Sequence, residues 1–312
     1  MLIALAGQYD ESVVRSLSET HRVVDLSAAD GSAQLAEILV TRGSLTVDSA
    51  LLSSLPKLRL IIKAGSGLDN IDLPAAALHG VSVWRTSGSA RSVGEMAFAL
   101  LFAVLRNVPV FDSAVRRADW ACKSRFVGGL VSGRRLALLG LGEIGQETAR
   151  IGAGLGMSLA AFDRSPDRPE KAALVAELGI ELRASIPELV ESADVLSLHV
   201  PHQDGDPPLI DGEILALLPP GAVIINTARA SLIDQSALFE GLVTHRIAGA
   251  GLDVHPEERT GRPDPLRELP NVVLTPHVGA QSKEAMAEIG RRVVALVRRF
   301  ETERGEVGLC TS

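Results

Sequence analysis

Short apolar runs recur along the chain, bounded by polar or glycine-containing stretches and separated by segments with helical spacing. Runs at 2–6, 23–26, 58–63 and 81–84 read as one series of strands, with helical patterns at 11–18 and 32–41 between them. A second series begins at 135–139 and continues through 158–163, 195–199, 222–226, 247–252 and 272–275. Helical stretches at 145–155, 186–191, 211–216 and 234–241 fall between its members. Strand and helix in this alternation predict an α/β fold of parallel sheets joined by crossover helices. Strings such as AVIIN and LALLG are apolar almost throughout, as expected of strands covered on both faces.

The periodicity breaks at 87–95, and a long helix is predicted over 92–106. Its uninterrupted apolar stretch, 96–105, is half of the about 20 residues that a membrane span needs, so a buried core helix is expected. The last helix, 283–303, places Met286, Ile289, Val293, Val294 and Val297 on one face and charged residues on the other. A length of 312 residues suggests two domains. Aromatic residues make up only 3% against 46% apolar, which points to an aliphatic core. A net charge of -7 argues against nucleic acid or an anionic membrane as partner. Two cysteines, Cys122 and Cys310, make neither a disulfide framework nor a cysteine-based metal site, and no metal is expected. The N-terminal MLIALAG lacks a basic leader region, so a cytoplasmic protein is expected.

The first chemistry-bearing motif follows the strand at 135–139. Gly140, Leu141, Gly142, Glu143, Ile144 and Gly145 form GxGxxG between an apolar strand and a helix, the context that the motif requires. Asp163 ends the next strand, with 17 residues between it and Gly145. Gly140 permits a tight turn, Gly142 lets a pyrophosphate approach the backbone, and Gly145 allows close helix–strand packing. Amides at the start of the helix hold the phosphates. A carboxylate at Asp163 accepts from both ribose hydroxyls and repels a 2′-phosphate, which favours NAD over NADP; Arg164 and Arg168 oppose that preference. Glu143 is expected to face solvent.

Three ionisable residues follow strands of the second series: Arg229 in IINTARASLID, Glu258 in AGLDVHPEER and His277 in VVLTPHVGA. Ligands of open α/β sheets bind beyond the carboxyl ends of the strands. Histidine can exchange a proton near neutral pH, a neighbouring carboxylate favours its imidazolium form, and arginine offers a planar fork to a carboxylate. Each alone is as easily a surface or packing residue; His21, His79 and His245 carry no motif and read as structural.

Taken together, the glycine turn with Asp163, LHVP at 198–201, NTARASLID at 226–234, GLDVHPEE at 251–258 and TPHVGA at 275–280 resemble the D-isomer-specific 2-hydroxyacid dehydrogenase family. KAGSGLDNID at 63–72 resembles that family's substrate-domain loop. The resemblance implies two Rossmann-like or flavodoxin-like domains with the active site in the cleft between them. A discontinuous substrate-binding domain, 1–90 plus 283–312, would flank an NAD-binding domain, 91–282. It further implies catalysis by Arg229, Glu258 and His277, with NAD as cofactor. Contacts to NAD are implied for His199, Val200, Pro201, Thr227, Ala228, Arg229, Asp253, His277 and Gly279. Lys63, Ala64, Gly65, Ser66 and Gly67 would offer backbone N–H groups to the carboxylate of a small anionic substrate. A homodimer through the NAD domain is implied as well. The likeness is to phosphoglycerate dehydrogenase-like members without a C-terminal regulatory domain, so no allosteric site is expected.

Departures from the family pattern bear on the substrate. The loop before the long helix reads WRTSGSAR, with Ser89 where an asparagine is frequent and Arg85 and Arg91 adding positive charge. His255 stands where an aromatic residue is usual. The loop has either drifted or forms a pocket for a second anionic group on the substrate. Two alternatives stay open. One is a dehydrogenase of another small anion, such as phosphite or a phosphonate-bearing hydroxy acid; formate is less favoured. The other is an NAD-sensing, corepressor-like binding protein.

Overall fold

The computed structural model describes residues 1–29, 31–43, 45–203, 205–256 and 264–309, the last six by backbone alone. The chain divides into two compact units, Met1–Ser89 with the segment from Gln281 onward, and Ala90–Ala280.

The first unit is built on β1 (Leu2–Ala6), β2 (Arg22–Asp25), β3 (Ile38–Thr41), β4 (Leu60–Lys63) and β5 (Ser82–Arg85). They form one parallel sheet in the order β2-β1-β3-β4-β5. Helices Glu11–Ser18, Ser49–Ser54 and Leu73–Leu78 each start on an aspartate, Asp10, Asp48 or Asp72, whose carboxylate accepts an otherwise orphaned amide. The last helix, Lys283–Leu309, belongs to this unit although the chain reaches it only at its end. Its Ile289, Val293 and Val297 pack with Val13 and Leu17 against one face of the sheet. Here the helix expected over 32–41 is corrected. Ser32–Leu35 is a short 3-10 turn, and Ile38–Thr41 is a fully buried central strand. Apolar spacing in so short a run fits either element, and burial between β1 and β4 decides for the strand.

The second unit carries β6 (Arg135–Leu139), β7 (Ser158–Phe162), β8 (Glu181–Leu182), β9 (Val195–Leu198), β10 (Ala222–Asn226), β11 (Ile247–Leu252) and β12 (Val272–Leu274). All pair in parallel, in the order β12-β11-β10-β9-β6-β7-β8. The order reverses at β6, which puts a topological switch point at its carboxyl end, where such sheets bind ligands. Helix Ala90–Leu105 covers one face, burying Ala97, Phe98, Leu100 and Leu101. It lies so close to β11 that a Cβ on Gly251 would come 2.7 Å from the Leu100 Cβ. Among the described residues no single helix is long and apolar enough to cross a membrane.

Candidate functional site

The glycine-rich turn sits at the switch point, between β6 and helix Glu143–Gly154. Gly140 has φ +100°, and a Cβ there would lie 2.7 Å from the His199 carbonyl oxygen. A Cβ on Gly145 would lie 2.1 Å from the Gly140 carbonyl oxygen, so the helix can start here only on glycine. Gly142, by contrast, faces open space within 4 Å. The amides of Gly142, Glu143 and Ile144 have no acceptor among the described residues. A tight turn, an open approach and free donors at a helix start fit a pyrophosphate, and so the phosphates of a dinucleotide. Glu143 is exposed, as its charge requires.

Asp163, just beyond β7, ties this turn down. Its Oδ2 accepts the Leu141 amide at 2.7 Å. Its Oδ1 accepts the Ser165 amide at 2.8 Å and the Lys171 ammonium at 2.6 Å. Burial raises the carboxyl pKa, but the hydrogen bonds from Lys171, Leu141 and Ser165, with the Lys171 charge, outweigh it and hold the group below its usual range. Three protein donors thus already engage Asp163, which leaves one of its about four acceptor positions for a ribose hydroxyl. Arg164 and Arg168 on the same loop are exposed.

Of the residues after β9, Val200 packs against the Gly140 turn and Pro201 is exposed. The His199 side chain is packed against the turn, its Cβ 3.5 Å from where a Cβ on Gly145 would lie. Its Nε2 bonds Ser197 Oγ at 2.9 Å, and its Nδ1 is buried with no partner among the described residues. Burial pushes its pKa down to about 3, so the ring is neutral at physiological pH.

Beyond β10, the buried Asn226 side chain shapes the next turn. Its Nδ2 donates to the Arg229 carbonyl at 2.8 Å, and its Oδ1 accepts the Ala228 amide at 3.0 Å. Thr227 is buried, its Oγ1 unpartnered among the described residues, while Ala228 and Arg229 are half-buried. Arg229 donates to the Ala228 carbonyl and makes further contacts.

A third turn follows β12 and carries His277. The His277 side chain is exposed, and its backbone has φ +56°, a left-handed conformation that side-chain-bearing residues rarely adopt. Asp253, only 1% exposed, holds the turn. Its Oδ1 accepts Thr275 Oγ1 at 2.6 Å and the Val278 amide at 2.9 Å, and its Oδ2 accepts the Gly279 amide at 2.8 Å. The Gly279 carbonyl in turn accepts Ser92 Oγ at 2.6 Å. His255 Nε2 reaches the Thr275 carbonyl at 2.8 Å from the strand side. Asp253 and Gly279, expected to contact the cofactor, are hydrogen-bonded to each other at the turn that carries His277. Glu258 lies outside the described residues.

In the first unit the 63–67 segment narrows. The Lys63 ammonium bonds the Gly43 carbonyl and Asn70 Oδ1, each at 2.8 Å. The Ala64 and Gly65 amides donate to Thr41 and Lys63 carbonyls. The Ser66 and Gly67 amides have no acceptor among the described residues. Arg85 NH1 donates to the Ser66 carbonyl at 2.9 Å. Ser89 is buried. In the second unit, the exposed Arg91 pairs with Glu95 at 2.9 Å and Glu147 at 3.7 Å. Sequence reasoning missed Lys171, Asn226 and Thr275, whose roles lie in spatial pairing that spacing along the chain does not reveal.

Comparison with known proteins agrees with this geometry. A family model described as D-isomer specific 2-hydroxyacid dehydrogenase, NAD binding domain, matches residues 98–279. The chain belongs to the D-isomer specific 2-hydroxyacid dehydrogenase family. It is 36% identical over 305 residues to a D-3-phosphoglycerate dehydrogenase of Mycobacterium bovis, covering 95% of this chain and 56% of that one. The chain thus spans little more than half the length of that relative. A hydroxypyruvate reductase of Thermotoga maritima is 35% identical over 274 residues, 86% of this chain and 85% of that enzyme. Among solved structures, the apo D-lactate dehydrogenase of Escherichia coli superposes with a TM-score of 0.83 at 26% identity, covering 97% and 98% of the two chains. The glycine turn and the His277 turn both lie within or at the edge of the matched NAD-binding region of this family.

Proposed function

We propose that this chain is an NAD-dependent oxidoreductase that transfers a hydride between nicotinamide and C2 of a small 2-hydroxy or 2-keto acid. The observation that carries this reading is the His277 turn. An exposed imidazole held on a left-handed backbone by a buried aspartate is a placed side chain, and the sheet that places it also presents the open glycine turn. Strain of this kind persists only where surrounding bonds over-determine it, and it clusters at functional sites.

When bound, the nicotinamide supplies or accepts the hydride. Arg229 is assigned to the substrate carboxylate and to polarising the C2 carbonyl. As C2 gains hydride, the carbonyl π pair moves onto oxygen, and the His277 imidazolium gives that oxygen its proton; in oxidation the neutral ring takes it back. Glu258 is assigned the orientation of His277. In the first unit, the Ser66 and Gly67 amides are assigned to a carboxylate, with Arg85 beside them.

The same reading includes a homodimer through the NAD-binding domain. It is supported by the exposed Val108, Val110, Val115, Trp120, Val127 and Leu130, which cluster along the chain on and after helix Val108–Arg116. The cysteine usage supports a cytoplasmic enzyme.

The test is a panel of 2-keto acids assayed for NADH consumption, with the handedness of the product determined. D-2-hydroxy acid formation is expected with at least one of them, and no consumption with any would overturn the reading. His277→Ala should lower kcat by about 100-fold or more while NADH still binds. Equal loss of turnover and binding would make His277 structural.

A further inference from the structure

Lys171 is the one buried lysine of the second unit among the described residues, and nothing above gives it a role toward ligand. It lies in the first turn of helix Pro169–Leu178. Its ammonium reaches back 2.6 Å to Asp163 Oδ1, with the two side chains 11% and 10% exposed. A carboxylate offers about four acceptor positions, two on each oxygen. Ser165 and Lys171 fill both positions on Oδ1, and Leu141 fills one on Oδ2. One position remains for a ribose hydroxyl, and the charge behind it is already neutralised.

Those facts change what the carboxylate can discriminate. An unpaired carboxylate at this strand end selects a free ribose twice over, by accepting two hydroxyls and by repelling a 2′-phosphate. Paired with a buried ammonium, it accepts at most one further hydroxyl and repels far less. Arg164 and Arg168, exposed on the same loop, add positive charge and have no acidic partner among the described residues. We propose that Lys171 is a specificity-determining residue that admits the 2′-phosphorylated dinucleotide, so that the chain binds NADPH as well as NADH. The inference rests on the reading of the 140–145 turn as a dinucleotide site. A purely structural ion pair, fastening the helix start to the end of β7, makes a different prediction, because its loss weakens both cofactors alike.

The experiment is direct titration of the purified full chain with NADH and with NADPH, without substrate, followed by cofactor fluorescence. Wild type should bind NADPH with a dissociation constant no more than about tenfold above that for NADH. Lys171→Met, which keeps the aliphatic stem, should raise the NADPH/NADH ratio of dissociation constants by about tenfold or more. Lys171→Arg should leave that ratio within about threefold of wild type, and Asp163→Asn should lower it. Circular dichroism establishes that each variant is folded. If Lys171→Met does not fold, the opposed shifts of Lys171→Gln and Asp163→Asn carry the test. A ratio unmoved by Lys171 replacement, or a wild type that rejects NADPH by more than about a thousandfold, overturns the proposal. Failure of wild type to bind either dinucleotide instead overturns the reading of the glycine turn itself.

Discussion

Asp163 and Asp253 are the same residue type in the same sheet, each just beyond the carboxyl end of a strand, each accepting three protein hydrogen bonds. They differ in their third donor. Two backbone amides and a threonine hydroxyl satisfy Asp253, so a buried negative charge is stabilised entirely by neutral dipoles of one turn. Two amides and an ammonium satisfy Asp163, so its charge is cancelled by a side chain that could in principle be exchanged for a ligand group. Asp253 therefore determines where a neighbouring residue stands, and Asp163 determines what the site admits. A strand-end aspartate is not one kind of signal but two, separated by the charge of its partners.

Three substitutions bear on that contrast, and the largest effect is expected at Asp253. Asp253→Ala strands the Thr275 hydroxyl and the Val278 and Gly279 amides, and should lower unfolding free energy by about 3–5 kcal/mol in urea denaturation. It should also reduce kcat about 100-fold through misplacement of His277, with a much smaller effect on NADH binding. An effect confined to cofactor affinity would erase the distinction between the two aspartates.

Asp163→Asn should act in the reverse manner. It removes the counter-charge of Lys171 and weakens the tie to Leu141, for a stability loss of about 1–3 kcal/mol. The NADH dissociation constant should rise by about tenfold while kcat at saturating cofactor changes little. A large fall in kcat would place Asp163 with the positioning residues.

The smallest effect is expected at a histidine just beyond β9 of the same sheet. His199 has a folded-state pKa of about 3, far below the ordinary 6.5, so the unfolded chain takes up a proton there first. Its contribution is intact above pH 6.5 and is lost as pH falls from 6.5 toward 3. His199→Gln should therefore flatten the decline in thermal stability between pH 6.5 and pH 5, by about 1–2 kcal/mol, before most carboxylates titrate. Parallel declines in the two proteins would show that the ring takes up its proton without disturbing the glycine turn.

Much of the architecture was legible because parallel sheets leave a strong trace: AVIIN and LALLG are apolar on both faces and became β10 and the end of β6. The glycine turn was legible for a local reason, since its function depends on backbone geometry that only glycine allows. Ile38–Thr41 was not, because four apolar residues carry no periodicity that distinguishes helix from strand. At the site, residue types were readable but their partners were not. Asp253 and Gly279 were readable as residues of a site, but the hydrogen bonds that tie Asp253 to the 275–279 turn were not. Lys171 sits in a helix, Pro169–Leu178, that is not among those predicted, and its burial depends on the contact with Asp163 just beyond β7. Arg91 looked like free positive charge until Glu95 and Glu147 were placed beside it.

The interrupted path of the first unit has a consequence for the order of events on the ribosome. Its five strands are synthesised first, yet the helix that supplies Ile289, Val293 and Val297 to their core emerges last. The contiguous Ala90–Ala280 unit is complete before then and can close during translation. The usual sequence, in which the N-terminal part folds first, is thereby inverted. A released fragment of residues 1–280 should carry a protease-resistant second unit and a first unit that is readily cleaved.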